Sequence, residues 1–345
     1  MDLGERAARM AWVEGRTWNE ITEILKEPKE KVRSAARRYK QLNPGLVVTP
    51  TPPQVLAVEG TQPGDSAPDP EDVFNRACAE WERTKQLVRY KQYQGLVFDH
   101  GPIALVNMAD LHLGEQGVNY PRIEAEAALI GSTPGMFVVG VGDWVNQYIV
   151  GKLKDYRNKT RLNIPDEWAL LRIVLGMLGD SLVALVLGNH DNWLETLVGI
   201  SYFEAVLEGL SPTVLYEPYD VLINVTIGEW TVPLRARHKW RGSSIYNDTH
   251  GIERAAKFDK NFVIGMGAHT HASGLVREFN NAGETGMAML AGSYLEVSEF
   301  AQKQGFAHPN TSTAVAVVID EKRRSLTGFG DLATCADYMG RMYKT

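Results

Sequence analysis

Apolar positions recur along this chain with two different periods, and the change of period divides it. Over the first 42 residues they fall at helical spacing. Ile21, Ile24 and Leu25 form one stripe, and Val32, Ala35, Ala36 and Tyr39 form another. Thr17 followed by Glu20 has capping-box spacing, so a helix is predicted from Trp18 to about Leu25. A charged, amphipathic segment from Met1 to Trp12 precedes it. Pro28 opens a third helix, in the first turn, where a missing amide donor costs nothing. The periodicity then stops: Pro44, Pro50, Pro52, Pro53, Pro63, Pro68 and Pro70 fall in a stretch with few charges, which predicts an extended linker over residues 42–70. Val73, Ala77, Trp81 and Val88 then fit a helix from Glu71 to about Gln94.

Beyond that helix the pattern becomes short apolar runs. Leu96 to Phe98 and Ile103 to Met108 flank Asp99, His100 and Gly101, a turn-forming set, which makes His100 a turn residue. Further runs are Phe137–Val141, Leu182–Leu187, Val221–Val225, Thr231–Ala236, Val263–Met266, Met287–Leu290 and Ala314–Ile319, with a helical stretch from Pro165 to Leu178. This is an α/β plan, its early strands joined by helices and its later ones more often by turns. Residues 1–41, 42–70 and 71–345 are therefore predicted to be a small all-α domain, a Pro-rich linker and a large α/β domain.

Composition adds two points. Hydrophobic residues make up 44% of the chain and charged ones 23%, enough apolar material for a full core. The net charge of −6 conceals an asymmetry: residues 1–44 carry ten Lys and Arg against seven acids, so the remainder is far more acidic than the average. Cys78 and Cys335 stand far apart, which excludes a thiolate zinc site or a disulfide framework. No stretch approaches the roughly 18 apolar residues of a membrane span, and the expectation is a soluble, cytoplasmic protein without membrane partners.

The basic excess has a specific place. Lys29, Lys31, Arg33, Arg37, Arg38 and Lys40 surround the apolar stripe of the third helix. The string EGRTWNEITEILKEPKEKVRSAARRY resembles the helix-turn-helix of resolvases and many regulators. That resemblance implies DNA as a partner, with Lys29, Lys31, Arg33, Arg37 and Arg38 at the phosphates. The competing reading is a helical packing or assembly module with a solvated basic face.

Polar residues with metal-ligand chemistry follow the apolar runs. Asp110 and His112 come after Met108; Asp143 and Asn146 come after Val141; Asn189, His190 and Asp191 come after Leu187. His238 ends the Thr231–Ala236 run, and His269 and His271 follow Met266. A parallel sheet gathers its carboxyl strand ends at one edge, so residues far apart in sequence converge there. Gly142 and Gly188 let the backbone turn closely beneath such a site. Five of the eight histidines belong to this set.

The order D-x-H, G-D, G-N-H-D, single His, H-x-H resembles the calcineurin-like metallophosphoesterases over some 160 residues. The resemblance implies a two-sheet α/β sandwich flanked by helices and two divalent cations. One would be held by Asp110, His112 and His271, the other by Asn189, His238 and His269, with Asp143 bridging. Imidazole and oxygen donors without thiolate favour Mn²⁺, with Fe, Zn²⁺ or Mg²⁺ as the other candidates, and argue against Ca²⁺. Phosphate esters are anionic and poorly electrophilic. Cations about 3.5–4 Å apart acidify a bridging water, orient it in line and neutralise phosphoryl charge. His190 would assist the transition state or leaving group, with Asp191 orienting its ring. The sequence departs from the family's pattern in places: Lys239 replaces the usual glycine after His238, and Ala268 replaces the glycine before H-x-H. His250, twelve residues after His238, is expected in a loop at the mouth of the site, and His308 in a surface loop.

Asn146 is expected either to support the metal ligands from behind or to contact substrate, with a helix cap equally open to it; further substrate contacts are expected from Lys239 and Arg241, with Arg254 another candidate. In the superfamily's protein phosphatases an arginine precedes G-N-H, and here that position is Leu187, which disfavours a phosphoprotein substrate. The motif style is that of the family's DNA repair exonucleases, and with the N-terminal helices it points to a phosphodiesterase or nuclease acting on DNA. The alternatives are an enzyme for small nucleotides or phosphomonoesters, and a DNA-binding regulator with a sensing phosphoesterase domain.

Overall fold

The computed structural model describes residues 1–45, 69–90, 94–149, 162–199, 202–207, 214–242, 244, 246–281, 283–296 and 312–344. The chain forms two compact units, Met1–Ala77 and Cys78–Thr345. The expected linker and His308 fall almost wholly outside the described residues.

The first unit contains three helices, α1 Leu3–Trp12, α2 Trp18–Leu25 and α3 Lys29–Leu42. The capping box forms as its spacing requires, with the Thr17 amide donating to Glu20 at 2.7 Å and the Glu20 amide to the Thr17 hydroxyl at 3.4 Å. Ala7, Ala8, Ile21, Val32 and Ala36 make a small core, edged by Trp12, Trp18 and Tyr39. Small residues let these short helices approach: a side chain at Gly4 would meet the Ala35 carbonyl oxygen at 2.8 Å. Helix α4, Pro70–Tyr90, contains the division between the units, and Phe74 and Trp81 on it are exposed.

The second unit is built on two six-stranded sheets. One has the order β1-β6-β7-β8-β10-β9 and the other β12-β11-β2-β3-β4-β5. In chain order the strands are β1 Gln94–Phe98, β2 Ile103–Met108, β3 Met136–Val141, β4 Leu182–Val186, β5 Leu215–Glu217, β6 Val221–Ile227, β7 Trp230–Ala236, β8 Ile264–Gly267, β9 Leu275–Asn281, β10 Glu284–Leu290, β11 Val315–Asp320 and β12 Ser325–Phe329. Helices Tyr120–Ser132 (α5) and Ile164–Leu178 join β2, β3 and β4, which run parallel, whereas β6–β7, β9–β10 and β11–β12 are antiparallel hairpins. The Asp99–Gly101 turn does not close a hairpin. It carries the chain from one sheet to the other, because β1 pairs with β6 while β2 lies between β11 and β3.

Burial explains the continuous apolar runs. Ile103 and Leu105 on β2 face the sheet that holds β6, β7, β8 and β10, while Ala104, Val106 and Met108 pack under α5, Ile164–Leu178 and the C-terminal helix Leu332–Met342. A strand covered on both faces has no polar side to show. The outer face of the other sheet is covered by helix His250–Asp259 through Ile252 and Ala256. The result is the two-sheet α/β sandwich flanked by helices that the metallophosphoesterase resemblance implied. The sheets are also joined by a polar link: Asn107 on β2 is fully buried, and its amide donates to the carbonyl oxygens of Gly267 at 3.0 Å and Met289 at 3.2 Å across the interface. Among the described residues no helix is long and apolar enough to cross a membrane.

Candidate metal centre

Three parallel strands, β2, β3 and β4, end side by side, and the loops leaving them carry the first half of the site. The loops after β2 and β3 are zipped by backbone hydrogen bonds: Asp110 donates to Gly142, His112 to Asp143, Leu113 to Trp144, and Asn146 back to Leu113, all at 2.9–3.0 Å. The Asp110 carbonyl oxygen is fixed from the other side by the Ser293 hydroxyl at 3.0 Å and the Tyr294 amide at 3.1 Å. Gly142 has φ +85°, and a side chain there would lie 2.5 Å from the Gly188 nitrogen; one at Gly188 would lie 2.0 Å from Asp143 Oδ1. Only glycine permits these turns to stack so closely.

The loop ends converge. Asp110, His112, Asp143 and His271 each offer a ligand atom within 4.8 Å of the others, and Asp143, His238 and His269 form a second such group. Asp143 belongs to both. Six of the seven side chains expected to bind metal are thereby brought together, three delivered by one sheet's loops and three by the other's. Asn189 begins the helix Asn189–Val198, and the amide of the next residue, His190, donates to Asp143 Oδ1 at 2.9 Å. Asp110, His112, Asp143, His269 and His271 all adopt positive φ, between 48° and 78°. Non-glycine residues rarely do so, and such conformations persist where the surrounding structure over-determines them, as at functional sites.

The donor set also fits cations atom by atom. Asp110 Oδ1 and Asn189 Oδ1 are buried with no hydrogen-bond partner, a state that costs free energy unless something else satisfies the oxygen. His112 Nε2 and His271 Nε2 point at each other across 2.9 Å. Burial, with His190 and His271 nearby, holds the His112 imidazole well below its ordinary pKa, and burial with the His238 charge brings His269 to about 4. His271 is exposed by surface area, yet enough protein surrounds its ring for desolvation to bring it to about 4 as well. Neutral imidazoles are the form that binds a metal.

The tautomers follow from the partners. His238 Nδ1 faces the Val141 carbonyl at 2.8 Å and must carry its proton there; His190 Nδ1 does the same toward the Asn146 carbonyl at 2.5 Å. This leaves His190 Nε2 turned to the site, 4.0 Å from Asp143 Oδ2, with Trp193 stacked on the ring at 4.0 Å between centroids.

Several expectations shift here. Asp191 does not orient His190: its Oδ1 accepts from the Trp144 and Val145 amides at 2.9 and 3.1 Å and its Oδ2 from the Gly188 amide at 2.8 Å. A buried carboxylate with three amide donors is a loop anchor, and the His190 ring is held by a main-chain oxygen instead. Asn146 caps no helix; it is buried between His112 and Glu115. His250 does not sit in a loop but starts the helix His250–Asp259, because Asn247 and Thr249 hydrogen-bond to each other and to Glu253 in its first turn. Lys239 is exposed beside His269, whose imidazole its charge helps depress, and Arg241 is exposed. Arg254 lies over the Phe258 ring at 5.3 Å.

Of the basic residues on α3, Lys29, Lys31, Arg37 and Arg38 are exposed. Lys29 donates to Asn19 at 2.6 Å, Lys31 pairs with Glu27 at 2.9 Å, and Arg33 is half-buried against Trp18 with its guanidinium carbon 5.6 Å from the ring centre. Sequence reasoning missed Glu115 and Trp193. Trp193 stands one helical turn after His190, a spacing that could have revealed it.

No family model matches the chain and no curated protein does. Among solved structures, similarity is found to vacuolar protein sorting 29 from Cryptosporidium parvum (15% identity, 66% of this chain and 95% of that one, TM-score 0.34). It is also found to a predicted phosphoesterase from Streptococcus pneumoniae (13%, 64% and 85%, TM-score 0.31) and to Pseudomonas putida nuclease MPE (12%, 65% and 87%, TM-score 0.30).

Proposed function

We propose that the larger unit is a metal-dependent phosphoric ester hydrolase acting on phosphodiesters, with DNA as its substrate. The observation that carries this reading is the pair of ligand groups sharing Asp143, flanked by a histidine that belongs to neither. Asp110, His112 and His271 with Asp143 hold one divalent cation, and Asn189, His238 and His269 with Asp143 hold the other; Mn²⁺ suits this set of nitrogen and oxygen donors. Such a pair supplies Lewis acidity to the phosphoryl group and an acidified water to attack it. The chain's own contribution is geometric and protonic. Strained loops fix the donors before substrate arrives, and His190, locked through Nδ1 to the Asn146 carbonyl, turns Nε2 to the site; in its imidazolium form, protonated on both nitrogens, it gives the Nε2 proton to the departing ester oxygen, which must take one up. Lys239, exposed beside His269, supplies positive charge at the rim. The exposed Lys29, Arg37 and Arg38 on α3 support DNA over a small nucleotide, since counterion release from phosphates favours such a surface.

The test is hydrolysis by the full chain of bis(p-nitrophenyl) phosphate, p-nitrophenyl phosphate and linear DNA, each with Mn²⁺, Zn²⁺, Mg²⁺ or EDTA. Diester and DNA cleavage that EDTA abolishes is the expected result. Failure on every ester with every metal overturns the hydrolase reading, and cleavage of the monoester alone overturns the DNA assignment.

A further inference from the structure

Asn146 sits between two side chains of opposite hydrogen-bonding character. Its Nδ2 lies 2.6 Å from Glu115 Oε2, and its Oδ1 lies 3.3 Å from His112 Nδ1. A carboxylate can only accept, so Glu115 decides which end of the amide faces it. The amide oxygen is thereby turned to His112, and an oxygen there requires the proton of His112 on Nδ1. The Nε2 lone pair is then left pointing at the cluster, 2.9 Å from His271 Nε2 and 3.9 Å from Asp143 Oδ2. The backbone supports this arrangement: the Glu115 amide donates to the His112 carbonyl at 3.0 Å, and Asn146 is zipped to Leu113, so all three residues are fixed relative to one another.

We infer that Asn146 is a positioning residue that sets the tautomer of His112 for metal binding, and that Glu115 sets Asn146. The inference rests on the metal reading above, and it excludes the substrate contact expected of the Asn146 side chain, both ends of which are used. The partner on the far side of a metal-binding imidazole governs ring orientation and basicity, and losing such a partner weakens metal affinity by about 10–100-fold.

The experiment is Mn²⁺ binding by calorimetry to the full chain, followed with no substrate present, for the wild type, N146D, N146A and the double variant N146D/E115Q. In N146A the His112 Nδ1–H has lost its acceptor, and affinity falls by about 10–100-fold; N146D keeps an acceptor but sets its charge against Glu115, and affinity falls less. In the double variant the side-chain amide introduced by E115Q supplies the missing donor, and affinity returns to within about threefold of the wild type. Should N146D alone not fold, the double variant must still bind Mn²⁺ more tightly than N146A, which can accept nothing from His112. Wild-type affinity in N146A, or a double variant no better than N146A, overturns the inference while leaving the metal site standing. A wild type that binds no divalent cation overturns the metal reading itself.

Discussion

Asp143 Oδ2 lies 3.1 Å from His238 Nε2, and both side chains are almost wholly buried. Burial works against both charges, yet each sustains the other. His238, Asp143 and their hydrogen bond carry the imidazole up to about 10 and hold the carboxyl well below its ordinary range. Among the expected ligands Asp110, pushed by burial to about 8, also holds a proton near neutrality; Asp191, outside the two ligand groups, is pushed by burial to about 7. A cation displaces the His238 and Asp110 protons. The sign follows: both folded pKa values lie above the unfolded 6.5 and 3.8, so the metal-free protein is stabilised by these protons at low pH and loses that stability as pH rises through 8 and 10. The metal-bound protein has no such loss. The gap between thermal midpoints with and without Mn²⁺ therefore widens from about pH 6 to about pH 8.5, and a constant gap contradicts the assignment.

Replacing Asp143 by Asn removes the one carboxylate shared by both groups. The fold should survive in a calorimetric melt, and Mn²⁺-dependent diester hydrolysis should vanish. Retention of the wild-type rate at saturating Mn²⁺ contradicts the shared role.

His190→Ala leaves every ligand in place. Turnover should fall by about 10²–10⁴-fold while Mn²⁺ stoichiometry, read by calorimetry, stays at the wild-type value. A lost equivalent of metal would make His190 a ligand.

The Asn107 amide ties the sheets together from inside an otherwise apolar interface. Asn107→Ala should lower stability by about 1–3 kcal/mol in denaturant unfolding, since two carbonyl oxygens lose a donor and the buried space is emptied. A change within error would show that the Ala291 amide, which also donates to Gly267, suffices.

Much of this was legible in the sequence, for identifiable reasons. Strands buried on both faces declare themselves as unbroken apolar runs, so Ile103–Met108 was placed to the residue and Leu182–Val186 within one. Leu275–Asn281 and Ser325–Phe329 were not, because strands at sheet edges alternate with polar residues and lack such a run. The candidate ligands stood out in the sequence because metal chemistry restricts residue types at strand ends. Asp191 misled for a related reason: adjacency in sequence suggested a contact with His190, whereas residues i and i+1 on a helix face different ways, and the carboxylate turned to the amides of the loop beneath. The role of Glu115 depends on which end of a neighbouring amide it meets, and no sequence pattern records that.

A chain lacking residues 1–68 tests the first unit. It should keep hydrolysis of a small diester and lose DNA affinity, with a shallower salt dependence, because Lys29, Lys31, Arg33, Arg37 and Arg38 no longer release counterions. Equal affinities and equal salt slopes for the two proteins would assign the helices to packing or assembly.

The division of the ligands between the sheets also orders events in time. Asp110, His112, Asp143 and Asn189 leave the ribosome early, but both groups wait for histidines from the later sheet, His238 and His269 for one and His271 for the other. Sheet closure waits longer still, since β11 pairs with β2 and brings residues 315–319 against residues 103–107. During synthesis the early half can offer a cation, from these ligands, only oxygens and one imidazole. On the metal reading proposed above, uptake is thus a late step of biogenesis, and a ribosome stalled before residue 269 would hold a nascent protein with neither complete group.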